Sequence, residues 1–166
     1  GWVQAGQEQF AGHPIANLFR QDFKAEIESI VHDFESSYKV KASVGAGNWA
    51  SVPWLSILDP KITTTTQEGV YPVYLFKADG SGLYLSLNQG TTNPTNEYGK
   101  KNAEEIALQV KKDVLKAIPD LKSWGGQEVT LNASTSLGKS YEKPNISAKF
   151  YDINHIPDDT ELKKDL

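Results

Sequence analysis

The chain has 166 residues, 39% hydrophobic and 23% charged, with no cysteine or methionine and a formal net charge of −4. That length supports one ordinary hydrophobic core, and the missing thiols exclude a disulfide framework, a thiolate metal site and a cysteine nucleophile. The acidic balance argues against a protein that coats nucleic acid without specificity. No apolar run approaches the roughly 18 to 20 residues that span a bilayer, so the sequence reads as a soluble, cytoplasmic domain.

Residues 1–17 lack a clear period and include Gly1, Gly6, Gly12 and Pro14. We read them as an irregular N-terminal arm, a candidate for residues added to the natural chain, ahead of a single domain over 18–166. Phe19, Phe23, Ile27, Ile30, Val31 and Phe34 recur at helical spacing and predict an amphipathic helix over 18–37, with His32 on its polar side. Tyr38, Val40, Ala42 and Val44 then alternate with Lys39, Lys41 and Ser43, the period of a half-buried strand. A second strand is expected over 52–58, where Pro53 lacks an amide donor and marks the start as an edge or bulge.

Strands over 70–77 and 83–88 flank Ala78-Asp79-Gly80-Ser81-Gly82, a hairpin signal. Ile106, Val110, Val114 and Ile118 predict a second helix over 102–118, opened by an Asn102/Glu105 capping box and ended by Pro119. Further strands are expected over 128–131 and 146–151. At the C-terminal end, the acid-rich run around Asp158 and Asp159 opens a helix that stops after about two turns. Because position 1 is also not methionine, we expect a piece of a longer protein. Together these elements predict an α+β domain on a mainly antiparallel, curved mixed sheet flanked by helices.

Few residues invite chemistry. Residues 133–140 (Ala-Ser-Thr-Ser-Leu-Gly-Lys-Ser) loosely match a phosphate loop, but the first glycine is Ala133 and Pro144 interrupts the helix such a loop requires. His13, His32 and His155 lack zinc spacing, and Asp79 is better explained as a turn residue than as part of an acidic cluster. Catalysis, metals and cofactors are therefore not expected. The richest stretch is Gly45-Ala46-Gly47-Asn48-Trp49-Ala50-Ser51-Val52-Pro53-Trp54. Its glycines permit a tight turn or a close approach to a ligand, and its indoles offer stacking surfaces, although a hairpin with core tryptophans would carry the same residues. On the third strand Tyr71, Val73 and Leu75 share one face, and Val70, Pro72, Tyr74 and Phe76 the other. If one face packs on helices, the other can present aromatics to a flat ligand such as a nucleobase.

Residues 40–54, with Gly-x-Gly-Asn-Trp followed by Val52-Pro53-Trp54, then residues 69–75, resemble the N-terminal DNA-recognition domain of the McrB family. Gly138-Lys139-Ser140-Tyr141 and residues 151–166 also fit, so the likeness covers 18–166. The resemblance implies binding of double-stranded DNA carrying a modified cytosine, which is flipped into a pocket, on behalf of a restriction effector with NTPase or nuclease activity. It points to Trp54, Tyr71 and Leu75 as the base pocket, to which we add Trp49 as the second indole of the stretch. Gly45, Ala46, Gly47 and Asn48 become the loop at the flipped base, and from their alternation on one strand we assign Lys39 and Lys41 to the DNA backbone. Ala46 departs from the tyrosine of the family's best-known member, which leaves room for a modification larger than a methyl group or marks a loss of affinity. A protein-interaction or small-ligand sensing domain on the same fold is the alternative, supported by the acidic net charge.

Overall fold

The computed structural model describes residues 2–125 and 128–166. Five strands, β1 (Lys39–Ser43), β2 (Trp54–Leu58), β3 (Val70–Phe76), β4 (Gly82–Gln89) and β5 (Asn145–Asp152), pair in chain order. Every neighbouring pair is antiparallel, so the expected mixed sheet is a purely antiparallel meander among the described residues. Only β3 and β4 are joined by a short turn; β1, β2 and β3 follow one another through longer loops, and the connection from β4 to β5 carries several helices before the chain returns to the strand it has just left. In the 77–82 turn, Asp79 accepts hydrogen bonds from the Ser81 amide (3.0 Å), the Ser81 hydroxyl (2.7 Å) and the Asn132 side chain (2.6 Å).

The alternation of side chains divides the core in two. On one face Val40, Leu55, Ile57, Tyr74, Leu85 and Tyr151 pack with Phe19, Ile27 and Val31. These last three come from a continuous helical path made of α2 (Pro14–Leu18), a π-helical turn (Phe19–Phe23) and α3 (Lys24–His32). The path begins earlier than the expected residue 18 because Pro14 occupies the first turn and the His13 ring accepts the Ile15 amide at 3.2 Å. It ends before residue 37, where the Ser37 amide turns to the Glu35 carboxylate at 3.2 Å and Phe34 is left 72% exposed. Short α1 (Trp2–Ala5) precedes this path, and α7 (Asp159–Asp165) covers the same face, capped by Asp158 accepting the Glu161 amide at 3.0 Å.

On the other face Leu58, Tyr71, Val73, Leu75, Tyr84 and Ala148 pack with Val129, Leu131 and Ala133. The strand expected over 128–131 is absent. Its period-2 burial is real, but the Leu131 carbonyl meets the amide of Ala78 in the 77–82 turn, at 2.9 Å, rather than a strand, and the Leu131 amide is taken by the Glu142 carboxylate at 2.7 Å. Helix α4 (Thr92–Tyr98) was not foreseen, and α5 (Lys100–Ala117) starts two residues ahead of the expected cap. Gly99, at φ 80°, breaks the two helices apart, and the Asn102 amide group donates to the Tyr98 carbonyl (2.9 Å), so the capping box does not form. A 3-10 turn (Pro119–Trp124) and α6 (Ser136–Ser140) complete the seven α-helices among the described residues. No helix there is long and apolar enough to cross a membrane.

Candidate nucleic-acid interface

The side chains directly opposite one another in the register share a face. Ser43 faces Trp54 and Trp54 faces Leu75; Lys41 faces Ser56 and Ser56 faces Val73. This relation carries Lys39, Lys41, Trp54, Tyr71, Val73 and Leu75 onto the sheet face opposite α3. There a cavity of about 220 Å³ is lined by Trp54, Tyr71, Val73, Leu75, Asn88 and Tyr141, among others. Its rim is polar, with Thr66, Gln67, Thr91, Thr92 and Ser140. A larger cavity of about 460 Å³ lies on the helical face, lined mostly by apolar side chains such as Phe23, Ile27 and Leu162. Its charged members, Glu26, Asp159 and Lys163, come from the helices that cover this face, and none of the sequence-derived candidates lines it.

Three aromatic side chains meet in the smaller cavity. Tyr71 is buried and its hydroxyl donates to the Thr66 carbonyl at 2.8 Å, which ties the cavity wall to the strand beneath it. Burial, helped by the neighbouring Tyr141 hydroxyl, pushes Tyr71 up to about 12, so it remains a neutral donor through the physiological range. Burial also raises Tyr141, opposed by the indole N–H of Trp54. Half-buried Trp54 completes the wall.

A buried polar chain fixes the floor. Asn145 donates to the Ser86 hydroxyl (2.7 Å), Ser86 donates to the Asn88 side-chain oxygen (2.5 Å), and the Asn88 amide group donates to the Tyr141 carbonyl (3.1 Å). Each link satisfies a group that would otherwise be costly to bury. Opposite them, the 66–68 wall is laced to the start of α4: the Asn93 amide donates to the Gln67 carbonyl (3.0 Å) and its side chain to Glu68 (2.9 Å).

The sequence-derived candidates therefore divide. Trp54, Tyr71 and Leu75 come together in the one cavity, whereas Trp49 does not reach it. Its ring sits edge-on to Trp2 and Phe10, each at 5.1 Å, and to His13 at 5.0 Å, and its indole N–H donates to the Glu8 carbonyl at 2.9 Å. Trp49 thus anchors the N-terminal segment, in which Ala5 and Ala16 are buried. Residues 45–48 also lie outside the cavity lining. Gly45 has φ 115° and its carbonyl accepts from Arg20 at 2.7 Å, while the Ala50 amide closes the loop onto the Val44 carbonyl at 2.8 Å. Ala46, Gly47 and Asn48 project into solvent. Lys39 and Lys41 are exposed on the cavity's face, and the Lys41 ammonium donates to the Thr64 carbonyl at 2.7 Å.

Sequence reasoning missed Tyr141 and the polar floor. A signal for the floor existed: Ser86 and Asn88 place polar groups on the face that Tyr84 makes apolar, which is unusual for a central strand. Among the described residues no cluster of three or more histidine, aspartate or glutamate side chains could hold a metal. The site is therefore a concave, partly aromatic surface with neutral polar groups and lysines at one edge, suited to a flat polar ligand on an anionic backbone.

The family model of the MrcB-like, N-terminal domain matches residues 1–166, the full length of the chain. No curated protein matches it. The sequence, the antiparallel α+β fold and the family match agree: the chain belongs to the MrcB-like N-terminal domain family, the DNA-binding domain of McrB-like proteins.

Proposed function

We propose that this domain reads modified cytosine in double-stranded DNA by extruding the base into the cavity lined by Trp54, Tyr71, Leu75 and Tyr141. The observation that carries this reading is the meeting of three aromatic side chains with neutral hydrogen-bonding groups in a cavity of about 220 Å³ on a DNA-binding fold. Stacking on such rings is worth about 1–3 kcal/mol per base, enough to offset much of the few kcal/mol that extrusion costs. Lys39 and Lys41, on the same sheet face, hold the phosphates, and the loop formed by Gly45, Ala46, Gly47 and Asn48 sits against the duplex beside them. The domain performs no reaction itself; it directs a restriction effector, fused or associated, to foreign DNA.

One methyl group buried in the cavity contributes roughly 0.8 kcal/mol, or about fourfold, so an isolated domain that reads only a methyl is modestly selective. The test is a titration against duplexes identical except for cytosine, 5-methylcytosine, 5-hydroxymethylcytosine or its glucosylated form at one position. A preference of about fourfold or more for one modified form supports the reading. Equal affinity for all four would overturn it.

A further inference from the structure

Extruding a base leaves a base-sized gap in the stack, and proteins that unstack DNA commonly fill such gaps with an apolar wedge. The 45–48 loop offers only the methyl of Ala46 and the polar Asn48, and it does not line the cavity. Leu137 does line it. Among the described residues of that lining it is the large apolar side chain left most in water, 67% exposed, while Trp54 and Tyr141 are half-buried and Tyr71, Val73 and Leu75 are buried.

The segment beneath Leu137 is firmly seated. Helix α6 has only five residues, too few to persist alone, but Thr135 caps it by accepting the Gly138 amide at 3.1 Å. A Cβ at Gly138 would lie 2.6 Å from the Ala133 Cβ and 3.2 Å from a Val52 methyl, so the helix backbone rests directly on the core there. Leu137 precedes this contact and stands largely in water at the cavity, with exposed Lys139 two residues on.

We propose that Leu137 is the wedge: it enters the duplex as the modified base leaves and fills the space the base vacates. The proposal rests on the base-extrusion reading above. It is tested by measuring binding of the parent, Leu137→Ala, Leu137→Phe and Trp54→Ala to the tightest-binding modified duplex and to its unmodified counterpart. Each is also measured against the same duplex with an abasic site opposite the modified cytosine, where neither a pair must be broken nor an orphaned base supported. Leu137→Ala should weaken the paired duplex roughly tenfold and the abasic-opposed one by less than about twofold, with Leu137→Phe within about threefold of the parent on both. The exposure of Leu137 leaves the thermal melting of Leu137→Ala and Leu137→Phe the same as the parent's.

If Leu137→Ala binds the paired duplex as the parent does while Trp54→Ala loses its preference, the wedge is wrong and the pocket stands. Equal weakening of both duplexes by Leu137→Ala would reduce Leu137 to a surface contact and overturn the proposal. If the parent shows no preference for any modified form and Trp54→Ala is silent, the base-extrusion reading falls and the wedge with it.

Discussion

Replacing Trp54 by alanine separates recognition from folding. Its backbone pairs with Ser43 on one side and Leu75 on the other, and those ladder contacts survive truncation. What disappears is the indole, which is half-buried and already borders a cavity, so the variant enlarges an existing space rather than opening a sealed one. A fully buried tryptophan would cost about 3–5 kcal/mol; here about 1–2 kcal/mol is expected. For a chain of this size that lowers the melting temperature by roughly 2–8 °C and leaves the domain folded at 25 °C. The lost stacking surface is worth about 1–3 kcal/mol in binding, a roughly 5- to 150-fold weakening confined to the modified duplex. Fluorescence anisotropy at fixed salt, paired with a circular-dichroism melt, measures both. Trp49→Ala is the counterpart: its ring holds Trp2, Phe10 and His13, so it should lose stability while keeping its preference among cytosine forms. A folded Trp54→Ala that binds modified DNA as the parent does would refute the pocket assignment.

If Lys39, Lys41 and a few other cations engage about three to five phosphates, log K falls against log salt with a slope of roughly −3 to −5. Lys41→Glu should flatten that slope by about one and weaken modified and unmodified duplexes alike; an unchanged slope removes Lys41 from the interface. Gly45→Ala places a Cβ 1.9 Å from the Asn48 carbonyl oxygen and 2.7 Å from the Ala50 amide, at φ 115°. The loop must rearrange, at a cost of about 3 kcal/mol, and a melt indistinguishable from the parent's would show that the turn is not held this way. The hydrogen bonds from Ser81, then Asn132 and the charge of Lys77, hold Asp79 down at about 2 against an ordinary 3.8. Its folded value lies below its unfolded one, so its stabilisation is complete above about pH 4 and is lost as pH falls towards 2. Solvent screening limits this to about 0.5–1 kcal/mol; Asp79→Asn should remove that share of the acid dependence, and an identical pH profile would contradict it.

Strand alternation made much of the fold legible. The Asp79-Gly80 hairpin sets the register of β3 on β4, and from there Tyr71, Val73 and Leu75 share a face on a simple two-residue period. The lining of the cavity was only partly legible, because its parts lie far apart along the chain. Asn88 reaches the Tyr141 carbonyl across 53 positions, and Tyr141 follows an irregular stretch whose alternating Val129, Leu131 and Ala133 imitate a strand. Trp49 and Trp54 look alike in the sequence, yet one packs under an N-terminal segment with no period of its own and the other borders the cavity. Helix α4 had a readable start in Thr91-Thr92-Asn93-Pro94, with proline in the first turn, but its lack of an apolar stripe hid it.

Base extrusion is tested most directly by imino-proton NMR of a short duplex carrying one modified cytosine, titrated to saturation with the domain. The guanine opposite that cytosine should lose its paired imino resonance while the imino protons of pairs two or more steps away persist, because only one pair is opened. Retention of every imino resonance at saturation would mean that the duplex is bound intact, and the cavity of Trp54, Tyr71, Leu75 and Tyr141 would then serve some other ligand.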